Sequence, residues 1–121
     1  MKALLIISHG SRRSASNAEV FQLADRLREE SGAEIEQTAC AFLEIAEPKV
    51  QAIIDELAAA GASNILVLLH FLAAGMHVSA DIPRELEAAG VRHPGITFSV
   101  LPHLGALPGL SSLVLDQLED E

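Results

Sequence analysis

The stretch "NILVLLHF" (residues 64–71) is apolar almost from end to end, and so is "KALLIIS" (2–8) near the start of the chain. Such runs fit strands covered on both faces, because a half-exposed strand would alternate apolar with polar residues. A sheet covered on both faces is typically parallel, with helices as its crossovers. Outward from these runs, "AEIEQTACAF" (33–42) and "ITFSVLP" (96–102) are mixed, β-tolerant segments that read as more exposed strands. Between strands the apolar period turns helical: Val20, Leu23, Ala24 and Leu27; Val50, Ile53, Ile54, Leu57 and Ala58; Ile82, Leu86 and Ala89; Leu110, Leu113, Val114 and Leu118. Gly32, Gly61 and Gly90 stand where the first three helices should end, and Pro48 and Pro83 in the expected first turns of the second and third. The expected fold is α/β in three layers: a βαβαβαβα chain with a four-stranded parallel sheet, helices on both faces and a flavodoxin-like winding.

A chain of 121 residues that is 50% hydrophobic suits one domain, residues 1–121, with a sizeable core. The net charge of −9 speaks against a nucleic-acid partner, which needs clustered Lys and Arg. Charge is uneven: Arg12, Arg13, Arg26 and Arg28 fall in the first quarter, and "DQLEDE" (116–121) reads as a solvated acidic end. Cys40 is the only cysteine, so neither an internal disulfide nor a zinc-type thiolate cluster is expected, and a reducing cytoplasm is the expected location. The apolar part of "MKALLIIS" is too short for a signal-peptide core or a membrane span, and no membrane role is expected.

Ligands of open parallel sheets bind beyond the carboxyl ends of the strands. At that edge His9 follows the first strand, Glu44 the second, His70 and His77 the third, and His103 the fourth. A lone loop histidine is more often a hydrogen-bonded surface residue than a ligand. Two gain from context. His9 lies in "SHGSRR" (8–13), where Gly10 permits a tight turn and Ser11 could begin to cap the next segment; His77 precedes Asp81 by one helical turn. Asp81 either orients that region or is a first-turn acid favoured by the helix dipole. Imidazole and carboxylate without thiolate suit divalent Fe, Co, Ni or Zn. No HExxH, GxGxxG or P-loop pattern is present. A phosphate-handling histidine after Arg-His-Gly is disfavoured too, because Ser8 occupies the place of that arginine.

Taken together and in order, "SHGSR" with Asn17 downstream, "AFLEIAEP" (41–48) and "FLAAGMHVSADIP" (71–83) resemble the small CbiX/SirB type of class II tetrapyrrole chelatases, over about residues 3 to 105. The resemblance implies insertion of a divalent metal, Co²⁺, Fe²⁺ or Ni²⁺, into sirohydrochlorin, with the metal as substrate and no fixed cofactor. It implies that His9 and His77 bind the incoming metal and accept pyrrole protons, and that Glu44 supports metal binding or proton removal. It also implies a homodimer, one chain being half of the two-domain class II architecture. The substrate is rich in carboxylates, for which Ser11, Arg12 and Arg13 are the candidate contacts, although either arginine would also suit a solvated loop. His70 departs from the family pattern and is read as a strand-end residue with a hydrogen bond; His103 is displaced from the family's late turn. A non-catalytic metal or tetrapyrrole carrier on the same fold is the alternative.

Overall fold

The computed structural model describes residues 1–119; the last two acids of the C-terminal tail lie outside the described residues. Four strands, β1 (Lys2–Ser8), β2 (Gln37–Phe42), β3 (Asn64–Leu69) and β4 (Thr97–Val100), form one parallel sheet in the order β2-β1-β3-β4. They alternate with α1 (Ser14–Glu30), α2 (Val50–Ala59), α3 (Ile82–Arg92) and α4 (Leu110–Glu119). The expected class, layering and flavodoxin-like order are all present.

The pleat sorts the apolar runs. Ala3, Leu5, Ile7, Ala41, Ile65, Val67 and Leu69 face Val50, Ile53, Ile54 and Leu57 of α2 with Ile82 and Ala89 of α3. Leu4, Ile6, Cys40, Phe42 and Leu68 face Val20 and Ala24 of α1. Burial of this second layer pushes the Cys40 thiol up to about 11, with Asp25 adding to the effect, so it stays protonated and inert at neutral pH.

Several boundaries differ from the sequence reading. β2 begins at Gln37, not Ala33, because its partner β1 starts pairing there, Ala3 opposite Gln37; residues Gly32–Glu34 form a 3₁₀ turn instead. β4 ends at Val100: Leu101 N–H still reaches the Val67 carbonyl, and Pro102 has no N–H to continue. Gly32 and Gly61 do end helices with positive φ, whereas Gly90 lies inside α3. The helix runs on because Arg92 and His93 both grip Asp55 of α2, His93 Nε2 at 2.7 Å. Pro48 precedes α2 rather than opening it; its peptide bond to Glu47 is cis and its carbonyl accepts the Phe42 N–H. Helix α4 forms, but Leu113, Val114, Leu115 and Leu118 are 57–64% exposed, so its apolar face is not packed on the sheet as expected.

The Asp55 grip gives a pH signature. Hydrogen bonds from Arg92 and then His93 hold the Asp55 carboxyl below the ordinary carboxylate range. A depressed folded-state pKa stabilises above the unfolded value and loses its effect as pH falls through the folded one. Asp55→Asn should therefore lower Tm at neutral pH, and the gap to wild type should close below about pH 4; a gap independent of pH in thermal melts would remove this role.

Candidate functional site

The backbone of β1 keeps pairing past the formal strand ends. Leu43 N–H donates to the Ser8 carbonyl (2.9 Å), Glu44 N–H to the His9 carbonyl (3.0 Å) and His70 N–H to the Ile7 carbonyl (2.9 Å). His9 and Glu44 are thus neighbours by main-chain register before any side-chain contact is made. Two tight features fix them. Gly10 has φ +101°, and a Cβ there would stand 2.0 Å from the Glu44 carbonyl oxygen, so only glycine fits. Ile45 has φ 71°, with Ala46 N–H donating back to the Glu44 carbonyl at 2.7 Å, a strained γ-turn on a β-branched residue. Such an outlier is retained where surrounding structure over-determines it, here directly after the carboxylate.

The loop after β1 is held from α1. The Asn17 side chain accepts the Ser11 N–H at 2.9 Å and donates to the Ser11 carbonyl at 2.8 Å, reading both backbone groups at once. The Ser11 hydroxyl accepts the Arg13 N–H rather than capping the helix, whose N-cap is Arg13.

His77 opens a wide turn, His77–Asp81, in which Ile82 N–H reaches the carbonyl five residues back. A proline one residue later would clash with a regular helical turn before it, and widening relieves that conflict at Pro83. The turn brings Asp81 Oδ2 to 2.7 Å from His77 Nδ1, which settles the two readings of Asp81: it orients His77. Arg84 lies 3.6 Å from the other Asp81 oxygen, and Phe71 stacks on the imidazole with ring centres 6.1 Å apart.

The rings of His9 and His77 meet with centroids 4.5 Å apart, tilted by 48°. Each Nδ1 faces an oxygen that only accepts, Gly10 O at 3.1 Å for His9 and the Asp81 carboxylate for His77, so each Nδ1 carries the hydrogen. In the neutral rings the lone pair is then on Nε2. For His9 that nitrogen lies 3.4 Å from Glu44 Oε2. Two electron-rich atoms at this separation are satisfied together by a proton or a cation. Among the described residues no three His, Cys, Asp or Glu side chains enclose a metal on their own.

The other sequence candidates separate. His70 Nδ1 lies 3.3 Å from the Ser8 hydroxyl, and burial pulls its pKa below the usual value, so it stands neutral at pH 7 as a hydrogen-bonded strand-end residue. His103 lines a different, apolar cavity of about 400 Å³ with Val78, Ile82, Leu86 and Val100. Arg12 and Arg13 are exposed on the loop. A cavity of about 410 Å³ beside His9 is lined by Ser11, Asn17, Leu23, His70 and Arg26, but by neither of those two arginines. Looking only at residues after strand ends misses Arg26; the signal for it is helical, since Ser16, Val20, Leu23 and Arg26 recur at three- and four-residue steps on one flank of α1.

The CbiX family profile matches residues 3–121. The chain belongs to the CbiX family. Its CbiX fold superposes on a crystal structure of a CbiX protein from Marinobacter aquaeolei VT8 with TM-score 0.77 and 29% identity, covering 99% of this chain and 96% of that one. A sirohydrochlorin cobaltochelatase of Methanopyrus kandleri is 37% identical over 86 residues, 71% of this chain and 59% of its own length. A chloroplastic sirohydrochlorin ferrochelatase of Arabidopsis thaliana is 29% identical over 116 residues, 96% of this chain and 51% of that protein. The chain therefore spans between half and three fifths of the length of these two relatives. Among the described residues, no helix is long and apolar enough to cross a membrane.

Two measurements check the geometry of this CbiX site. In ¹⁵N spectra of the imidazoles, His77 should show the Nδ1–H form, and Asp81→Ala should populate the Nε2–H form; an unchanged spectrum would dissociate Asp81 from His77. Gly10→Ala should cost at least about 2 kcal/mol in denaturant unfolding, from positive φ and steric conflict together. Gly95→Ala, whose Cβ meets nothing within 4 Å, is the control expected near neutrality.

Proposed function

We propose that this CbiX-family chain is a sirohydrochlorin chelatase, inserting Co²⁺ or Fe²⁺, with Ni²⁺ the third candidate, into the macrocycle without ATP. The observation that carries the reading is the close His9–His77 pair with both Nδ1 hydrogens already committed and the Glu44 carboxylate beside one free Nε2. Insertion exchanges the inner pyrrole N–H protons for M²⁺, so the site must present the metal and take up protons in the same place. His9 and His77 would present the metal through Nε2. Glu44, 59% exposed, is free to relay protons to solvent. Imidazole and carboxylate donors hold divalent ions less tenaciously than thiolates, as befits a metal that must leave with the product. The Asp81–His77 pair keeps one ligand oriented, the usual service of an outer carboxylate to a metal-binding histidine. Ser11, Arg12 and Arg13 would meet peripheral carboxylates from the loop. The names of the relatives, cobaltochelatase and ferrochelatase, support this chemistry and both metals. A buried, protonated thiol suits a reducing, cytoplasmic setting.

The site would be completed by a second copy of the chain. The Arabidopsis relative is about twice as long, and here α4 leaves Leu113, Val114, Leu115 and Leu118 open. An amphipathic helix with its apolar face in water is poorly stable alone.

Anaerobic mixing with sirohydrochlorin and each metal, followed by absorbance, tests the activity. Wild type should accelerate insertion, His9→Ala/His77→Ala should fall to the uncatalysed rate with unchanged circular dichroism, and Glu44→Gln should slow turnover on the order of a hundredfold. Stoichiometric metal retention without acceleration would instead identify a carrier. In sedimentation, Leu113→Glu/Leu118→Glu should shift a dimer to monomer; a wild-type monomer would refute the pairing.

A further inference from the structure

The cavity beside His9 has two unlike ends. At one end stand Ser8, His9 and His70; from there it follows the flank of α1 past Ser16, Val20 and Leu23 to Arg26. Ten residues of helix separate Ser16 from Arg26, about 15 Å at 1.5 Å per residue. Helical side chains lean toward the N-terminus, so a residue at position 26 is directed back along the groove toward the His9 end.

The fate of each cation in the chain sharpens this. Arg28 donates to the Glu36 carbonyl, Lys49 to the Ala46 carbonyl and Glu47, Arg84 pairs with Asp81, and Arg92 binds Asp55 and Gln51. Lys2 begins β1, at the opposite end of the sheet from the site. Arg12, Arg13 and Arg26 make no side-chain hydrogen bond or ion pair among the described residues, and of these three only Arg26 lines the groove. An unpaired guanidinium at the end of a partly apolar groove in a chain of net charge −9 is a site for an anion with a short apolar stem. Glu19, lining the same groove two turns nearer the loop, disfavours a carboxylate at that end and leaves the Arg26 end as the favourable one.

We infer that Arg26 is a specificity-determining residue: the groove along α1 takes one carboxylate-bearing side arm of the macrocycle, its stem over Val20 and Leu23 and its carboxylate on the Arg26 guanidinium. This rests on the chelatase reading above, and adds to it the anchor that orients the ring relative to His9 and His77. A charge-assisted contact of this kind corresponds to roughly a tenfold to hundredfold change in affinity.

The protein has no Trp or Tyr, so the tetrapyrrole's own absorbance and fluorescence report binding cleanly. The full chain, free of metal, is titrated with sirohydrochlorin and separately with its methyl ester, in which the carboxylates are neutral. Arg26→Gln should bind sirohydrochlorin at least about tenfold more weakly than wild type, and Arg26→Lys should recover part of the loss. The ester should show no difference between wild type and Arg26→Gln. Metal binding at the histidines, read with Co²⁺ alone, should be unchanged in both variants, which separates an anchor from a general disturbance of the site. Equal affinity of wild type and Arg26→Gln for sirohydrochlorin, or an equal loss on the ester, overturns the inference while leaving the chelatase reading intact. Wild-type protein that binds no sirohydrochlorin overturns both.

Discussion

Main-chain pairing of β1 with both of its neighbours is the constraint on which the rest depends. Because β1 lies in the centre of the sheet, its last carbonyls at Ile7, Ser8 and His9 accept from both sides, and they bring Leu43, Glu44 and His70 to one edge. Parallel strands need not end level. Here β1, β2 and β3 end nearly level, and the loops that follow them become neighbours as a consequence. The same register decides who is excluded: Ser8 and His70 end up on the α1 face, where they hydrogen-bond to one another, and His9 turns toward His77. The sheet thus places His9 beside Glu44, and the wide turn His77–Asp81 with its Asp81 contact brings the second imidazole to it.

The fold was legible because two runs, residues 2–8 and 64–71, have no face to give to water. Once they are parallel strands, few alternatives survive for a chain of this length. What could not be read were features set by a partner far away in sequence. The start of β2 depends on where β1 begins, and the persistence of α3 through Gly90 depends on Asp55, more than thirty residues earlier. Local propensity favours a stop at Gly90; the tertiary grip on Arg92 and His93 prevails. Of the site, His9, Glu44 and His77 were visible as residues following strands. Arg26 was not, because its membership comes from helix phase and groove shape. The strain at Ile45 was invisible too, since an isoleucine gives no hint of positive φ.

On the proposed chelatase reading, the site would present a metal without keeping it. A resident ion would be enclosed by converging donors, usually thiolates or several imidazoles with supporting hydrogen bonds. In this chain one imidazole is buttressed by a carboxylate, the other only by a backbone carbonyl, and Glu44 lies mostly in solvent. The two histidines are thus unequally held. On that reading the better-oriented one, His77, would suit holding, and His9, next to an exposed carboxylate, would suit exchange of a proton for the metal.

Electrostatics sets the remaining condition. A chain of net charge −9 repels a polycarboxylate at long range, and at physiological ionic strength that field is screened beyond about 8 Å. On the proposed reading, discrimination would then fall to the few cations within reach of the ligand. Half of the chain's eight Lys and Arg side chains have internal partners, among them Arg92, which clips α2 to α3, and Arg84, which supports Asp81. Those left at the edge differ in kind. Arg12 and Arg13 stand exposed on the loop before α1, where an ion pair must offset the entropy of ordering a long side chain. Arg26 is exposed too, but it stands on a regular helix and lines the groove that runs to His9. On the proposed reading, orienting a flat macrocycle over two histidines would require at least one such fixed point, and helix α1 is the element that would supply it.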